Sequence, residues 1–169
     1  VIIYCPKHAG IKSTNKRWNE IAAVLQRYEI EYDLVRSENA QNVEQLVGKL
    51  VHDGYENIII CGGDSALNDA VNCLMKEERS IRESISLGVI PNGGFNDFSR
   101  FWGFRESNPE QTIDWLLKHR VRKIDLGCIR YQNKHQEQCH RYFLNCVNIG
   151  LSADIMNLRR QTHSLLGSK

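Results

Sequence analysis

Ile58 to Cys61 is an unbroken apolar run, and directly behind it stand Gly62, Gly63, Asp64 and Ser65. A glycine pair after a buried strand lets the backbone approach an anion closely. A helix starting at Ser65 would turn free N–H groups and its positive dipole end toward the same anion. Gly62, Gly63 and Ser65 are therefore candidate ligands of a nucleotide phosphate. Asp64 narrows the chemistry, because a carboxylate beside a phosphate is unfavourable unless it holds a metal ion such as Mg²⁺ or accepts bonds from ribose or backbone donors. Taken alone, Gly-Gly-Asp serves equally well as a strand-to-helix turn with an N-capping aspartate. A second loop shifts that balance. Pro91-Asn92-Gly93-Gly94-Phe95-Asn96-Asp97-Phe98-Ser99-Arg100 follows the next predicted strand, so both loops leave the carboxyl edge of one sheet, where ligands of open α/β sheets bind. Asn96 and Asp97 would shape the nucleotide pocket there.

The elements that carry these loops show as periodicities. Residues 1–4 form a short apolar strand followed by a loop over 5–10. Residues 15–28 repeat apolar side chains at three- and four-residue spacing (Trp18, Ile21, Ala22, Leu25, Tyr28), which predicts a helix lying on a sheet. A second strand is expected over 30–35. Asn42 with Gln45 fits a capping box that opens a helix, whose stripe is Val43, Leu46, Val47, Leu50 and Val51, before Gly54 stops it. A strand over 57–61, a helix over 65–78, a strand over 86–90, a turn over 96–100 and a helix over 109–119, with Pro109 in its first turn, complete the series. Continuous apolar runs in place of alternation mean strands buried on both faces, as in a parallel sheet covered by helices. From Val121 the pattern changes to two long strands, 122–131 and 141–147, around a polar stretch, and then to a basic helical tail over 151–169. The expectation is an α/β, Rossmann-like domain over 1–120 with helices on both faces. Residues 121–169 would begin a β-rich second domain that the chain enters without completing.

Together the two loops resemble the diacylglycerol kinase catalytic-domain family, the lipid kinases that include bacterial diacylglycerol kinases, sphingosine kinases and ceramide kinases. That family carries a GGDGTxNE-like loop and, about thirty residues on, a PxGTxNDFAR-like loop. Residues 62–69 and 91–100 match them in order, spacing and intervening helix, and Lys123-Ile124-Asp125-Leu126-Gly127 and Phe143-Leu144-Asn145 through Ala153 are similar to its later stretches. The resemblance implies ATP and Mg²⁺ as cofactors and a lipid hydroxyl at a membrane surface as phosphoryl acceptor. It allows a homodimer and a cytoplasmic protein, peripheral at the membrane. It adds Lys7 in the loop after the first strand, Ser37 after the second, Asn68 in the first motif, and Gly93 and Gly94 in the second to the nucleotide contacts. It puts the general base outside this chain, so that these residues alone are expected not to turn over substrate.

Three positions depart from the family pattern: Ser65 replaces a glycine, and Ala66 and Gly94 replace threonines. A Cβ at Ser65 is expected to block a left-handed backbone or crowd a phosphate, while its hydroxyl could donate to one. Two lost hydroxyls, each worth about 0.5–1.5 kcal/mol, predict weaker nucleotide binding. A noncatalytic nucleotide- or lipid-binding relative is therefore the alternative, with NAD kinase and phosphofructokinase further behind.

The bulk composition of these 169 residues, 41% hydrophobic and 25% charged, is ordinary for a globular protein, and a formal charge of +2 provides no concentrated basic face for nucleic acid. No apolar run is long enough to cross a bilayer. Six cysteines without a CxxC pair read as reduced thiols, most of them buried. Arg100, Arg105, Arg120, Arg122 and Lys123 read as solvated surface, and Phe101, Trp102 and Phe104 as core.

Overall fold

The computed structural model describes residues 1–6, 11–37, 42–118 and 121–166, and the side chains of all of these except 11–15 and 159–166. Four parallel strands, β1 (Ile2–Tyr4), β2 (Leu34–Arg36), β3 (Asn57–Gly62) and β4 (Ser86–Pro91), form one sheet in the order β2-β1-β3-β4. In register, Tyr4 lies beside Arg36 on one side and Cys61 on the other, and Gly62 lies beside Pro91. The chain reverses its direction of travel across the sheet between β1 and β3. The loops leaving those two strands therefore diverge and open a crevice at the carboxyl edge.

Both faces of the sheet are covered, as the continuous apolar runs required. On one face α2 (Val43–His52) and α3 (Asp64–Leu74) pack Val47, Leu50, Leu67 and Ala70 against Ile3, Ile58 and Ile60. On the other, α1 (Ile11–Arg27) and α6 (Pro109–Leu117) pack Trp18, Ile21, Leu25 and Ile113 against Ile2, Tyr4, Cys61 and Ile90. Gly54, at φ 87°, closes α2 as expected: its N–H donates to Val51 and the Tyr55 N–H to Leu50, which satisfies carbonyls that the helix end would leave open. Asn108 caps α6 through its side chain, which accepts from the Gln111 N–H ahead of Pro109.

Several expectations move. Asn42 is already in the helical region (φ −87°, ψ −16°), so its side chain makes no cap bond and the capping box with Gln45 does not form. The second strand is three residues, Leu34–Arg36, not 30–35. The helix expected over 65–78 begins at Asp64 and ends early at Leu74, and a separate short α4 (Arg79–Ser84) follows it, because the charged residues 76–79 offer no apolar side chain to the sheet and Lys76 turns instead to Glu44 of α2.

Beyond the sheet, β5 (Gly127–Gln132) and β6 (Gln138–Phe143) form an antiparallel hairpin, and α7 (Leu151–Leu166) follows. Both strands are shorter than expected. Gly127 stands opposite Phe143, whose ring lies over it so closely that a Cβ there would sit 2.1 Å from its Cζ and the ring would have to swing aside. Among the described residues no helix is long and apolar enough to cross a membrane.

Candidate functional site

The ends of β1, β3 and β4 are knotted together by Asn92, which is 3% exposed. Its N–H donates to the Gly62 carbonyl (2.9 Å) and its side-chain amide to the Cys5 carbonyl (3.0 Å). The two glycine loops then cross in direct backbone contact. A Cβ on Gly93 would lie 2.4 Å from the Gly63 Cα, and a Cβ on Gly63 would lie 2.8 Å from the Gly93 Cα, so neither position has room for a side chain. Asn96 closes the second loop on itself. It sits in the left-handed region (φ 54°, ψ 42°), accepts the Gly93 N–H at 2.7 Å and donates back to the Gly93 carbonyl at 2.9 Å.

That arrangement leaves α5 (Asp97–Phe101) without a cap of its own, because the Asn96 side chain is engaged with Gly93. Asp64 supplies the cap from the other loop. Its Oδ2 accepts the Asp97 N–H at 3.0 Å and its Oδ1 the Phe98 N–H at 2.9 Å. Oδ1 also accepts from the Asn145 side-chain amide at 3.1 Å. The carboxylate is thus the joint between the two glycine loops. It does not cap its own helix: α3 starts behind Gly63, which has no side chain to offer, and the first turn of α3 carries no cap bond from that residue.

The sequence-derived residues fall into three groups. Gly62, Gly63, Asp64, Gly93, Asn96 and Asp97 come together at the crossing. Ser65 and Gly94 are exposed beside it, and among the described residues, its chain neighbours apart, no atom lies within 4 Å of the place a Gly94 Cβ would occupy. Ser65 is an ordinary residue of α3 and not among those with positive φ, so the left-handed backbone that its Cβ was expected to block is not used here. Ala66 is buried, 3.1 Å from where a Gly62 Cβ would be, and faces the sheet. Asn68 is half-buried one turn along α3, with its carbonyl accepting from Asn72. Ser37 is buried at the end of β2, its N–H bonded to the Tyr4 carbonyl. Lys7 lies outside the described residues.

Three asparagines that hold the site together escaped the sequence reading. Asn92 stood inside the quoted motif. Asn72 had a weak signal, a polar side chain among the apolar residues of α3: it donates to the Tyr142 carbonyl and accepts the Tyr142 N–H, both at 2.9 Å, and so imitates a neighbouring strand for β6. Asn145 gave no local sign of its partner. Arg141 adds an ion pair to Asp69 (2.5 Å). Burial raises the Asp69 carboxyl above the usual range, with Arg141 pulling it back. Burial, helped by Asp69, pushes the Cys5 thiol up to about 12.

The cysteine and aromatic expectations need correction. Only Cys61 and Cys73 are buried, whereas Cys128 in the hairpin and Cys146 beyond it are exposed, because neither belongs to either core. Phe104 is core as expected, but Phe101 is 82% exposed, since α5 is too short to bury a second face. Among the described residues, the open cleft beside the second loop holds Arg17, Arg100 and Arg105 together with Glu20, Asp97 and Glu106, three charges of each sign. Among the described residues no three histidine, cysteine or acidic side chains gather into a metal cluster.

A parallel sheet covered on both faces, with two glycine loops meeting at its carboxyl edge, defines a doubly wound α/β fold with a crevice at its switch point, the place where open α/β sheets bind ligands. The sequence profile of the diacylglycerol kinase catalytic domain matches residues 1–129, and the chain belongs to that family. It is 26% identical over 149 residues to a Bacillus subtilis protein named "Putative lipid kinase YtlR", covering 86% of this chain and 46% of that one. It is 24% identical over 154 residues to a protein of Staphylococcus aureus (strain MSSA476) named "Putative lipid kinase SAS0691", covering 89% and 46%. The chain therefore spans about half the length of these relatives. Among solved structures it is similar to "A putative diacylglycerol kinase from Bacillus anthracis str. Sterne", with TM-score 0.65 and 21% identity over 92% of this chain and 50% of that one, a likeness of fold.

Proposed function

We propose that this chain is the nucleotide-binding part of an ATP-dependent lipid kinase, which transfers a phosphoryl group to the hydroxyl of a diacylglycerol or sphingoid-type lipid at a membrane surface. The observation that supports it most is the Gly63–Gly93 crossing, where two bare backbones and the first turn of α3, which receives no side-chain cap from Gly63, meet at the sheet's carboxyl edge. Gly62, Gly63, Ser65, Gly93 and Gly94 would hold phosphates, with Asn68, Ser37 and Lys7 contributing further contacts and Asn96 fixing the loop. Mg²⁺ is commonly held by one or two carboxylates together with phosphates and water, and the Asp64 carboxylate fits that pattern without a dedicated cluster, while Asp97 would shape the pocket beside it. Asp64 Oδ2 accepts one hydrogen bond and has capacity for a second partner. Bound there, the ion would neutralise charge on the phosphates. The residues of this chain bind and orient the nucleotide, and the general base comes from outside it, so residues 1–169 alone do not turn over substrate.

The noncatalytic alternative draws on Ala66, which faces the sheet and offers no hydroxyl to the crevice. Titration of the full-length protein with ATP and Mg²⁺ in a calorimeter, followed by a kinase assay against a lipid panel, separates the readings. Nucleotide binding with lipid phosphorylation supports the kinase. Nucleotide binding without turnover on any lipid supports the relative, and no heat at millimolar nucleotide refutes the phosphate-site assignment.

A further inference from the structure

Residues 141–145 lie against α3 and touch it at three places. Arg141 pairs with Asp69, the Tyr142 backbone exchanges two bonds with the Asn72 side chain, and Asn145 donates to Asp64, while Leu144 packs on the core between them. The first two contacts fasten the hairpin to the middle of the helix. The third ends on the carboxylate that caps α5 and joins the glycine loops. One oxygen, Asp64 Oδ1, takes both the Phe98 N–H and the Asn145 amide.

We infer that Asn145 is a positioning residue that holds the Asp64 carboxylate in the orientation that caps α5, and so fixes the second glycine loop against the first. The inference rests on the phosphate-site reading of those loops. Asp64 provides the only side-chain bonds to the first two amides of α5 among the described residues, because Asn96 is turned inward to Gly93. A neutral donor suits the place: it binds the carboxylate without a competing charge, whereas a second carboxylate would repel it. Asn145 is itself exposed, so its removal takes little from the core. Its effect should therefore appear in nucleotide binding more than in stability, which distinguishes it from a fastening.

The test uses the full-length protein as wild type, Asn145→Ala, Asn145→Asp and Arg141→Ala, the last removing a fastening that does not touch Asp64. ATP–Mg²⁺ affinity, KM for nucleotide and for lipid, and the urea midpoint are measured for each. Loss of one hydrogen bond to a charged group is expected to weaken nucleotide binding by Asn145→Ala about tenfold and raise the nucleotide KM in step. The lipid KM should stay unchanged, the urea midpoint should fall no further than in Arg141→Ala, and Asn145→Asp should bind more weakly still. Nucleotide affinity within twofold of wild type in Asn145→Ala would overturn the inference, as would equal losses in affinity and stability in Asn145→Ala and Arg141→Ala. If the wild type itself binds no nucleotide, the phosphate-site reading fails on its own. Amide exchange at Asp97 and Phe98 then decides the positioning role: faster exchange in Asn145→Ala upholds it and unchanged exchange refutes it.

Discussion

Substituting Gly93 by alanine adds a single methyl group at the tightest point of the molecule. That methyl would sit 2.4 Å from the Gly63 Cα, 2.7 Å from the Asn96 Oδ1 and 3.1 Å from the Gly63 N, all well inside van der Waals contact. Two of these three neighbours are backbone and the third is an amide bonded in both directions, so none can swing aside as the end of a flexible side chain would. Overpacking of this kind costs about 1–3 kcal/mol. Moving the loop to relieve it strains the two Asn96 bonds, each worth about 1 kcal/mol. The sum expected for Gly93→Ala is a loss of roughly 3–5 kcal/mol. Gly94→Ala is the matched control one residue away: its Cβ meets nothing within 4 Å, and its φ lies outside the left-handed region. It should be neutral to within about 0.5 kcal/mol or slightly stabilising, through the loss of backbone freedom in the unfolded chain. Equilibrium urea unfolding followed by circular dichroism reads both. Equal midpoints for Gly93→Ala and wild type, or equal damage from the two alanines, would refute the crossing of the loops.

Asn72→Ala removes both side-chain bonds to the Tyr142 backbone, and amide exchange along β6 should quicken while β1, β3 and β4 stay protected. Asp64→Ala leaves the Asp97 and Phe98 N–H groups without their carboxylate and should cost about 1.5–3 kcal/mol in urea unfolding, as hydrogen bonds to a charged group do. In the native chain at pH 8 a maleimide should label the exposed Cys128 and Cys146 quickly and spare Cys61 and Cys5, whose thiols burial holds protonated, as peptide mass mapping would show. The same raised thiols make the chain alkali-sensitive. The unfolded protein releases these protons from about pH 9 while the folded protein keeps them, so stability falls as pH rises above 9.0, by up to about 1.4 kcal/mol per pH unit for each buried thiol. Urea midpoints that hold steady between pH 8.5 and 10.5 would contradict this.

The parallel sheet was legible because its information is local. A strand buried on both faces is a continuous apolar run whatever lies beside it, and Ile58 to Cys61 has that form. Element ends were less legible where long-range partners set them: Lys76 leaves the helix register to meet Glu44 of α2, and Asn42 is already in the helix it was expected to cap. The exposure of Phe101, Cys128 and Cys146 could not be read either, since it depends on which faces other elements cover.

The candidate site divides along the same line. The sequence by itself determined that Gly62-Gly63 follows a strand and precedes a helix and that Gly93-Gly94 follows a strand and precedes a turn, which the structure makes the short helix α5, because a glycine's freedom and a helix's start are properties of a few consecutive residues. Only the tertiary structure decided that Gly63 and Gly93 touch, and that Asp64 reaches 33 and 34 residues along the chain to cap α5 instead of its own helix. It also decided that Asn145, 81 residues away, shares that carboxylate. The physical reason is that an aspartate at a helix start is equally ready to cap, to bind a metal or to accept an amide. Its choice is made by whichever donors the fold brings within hydrogen-bond reach of it, and no run of neighbouring residues encodes that distance.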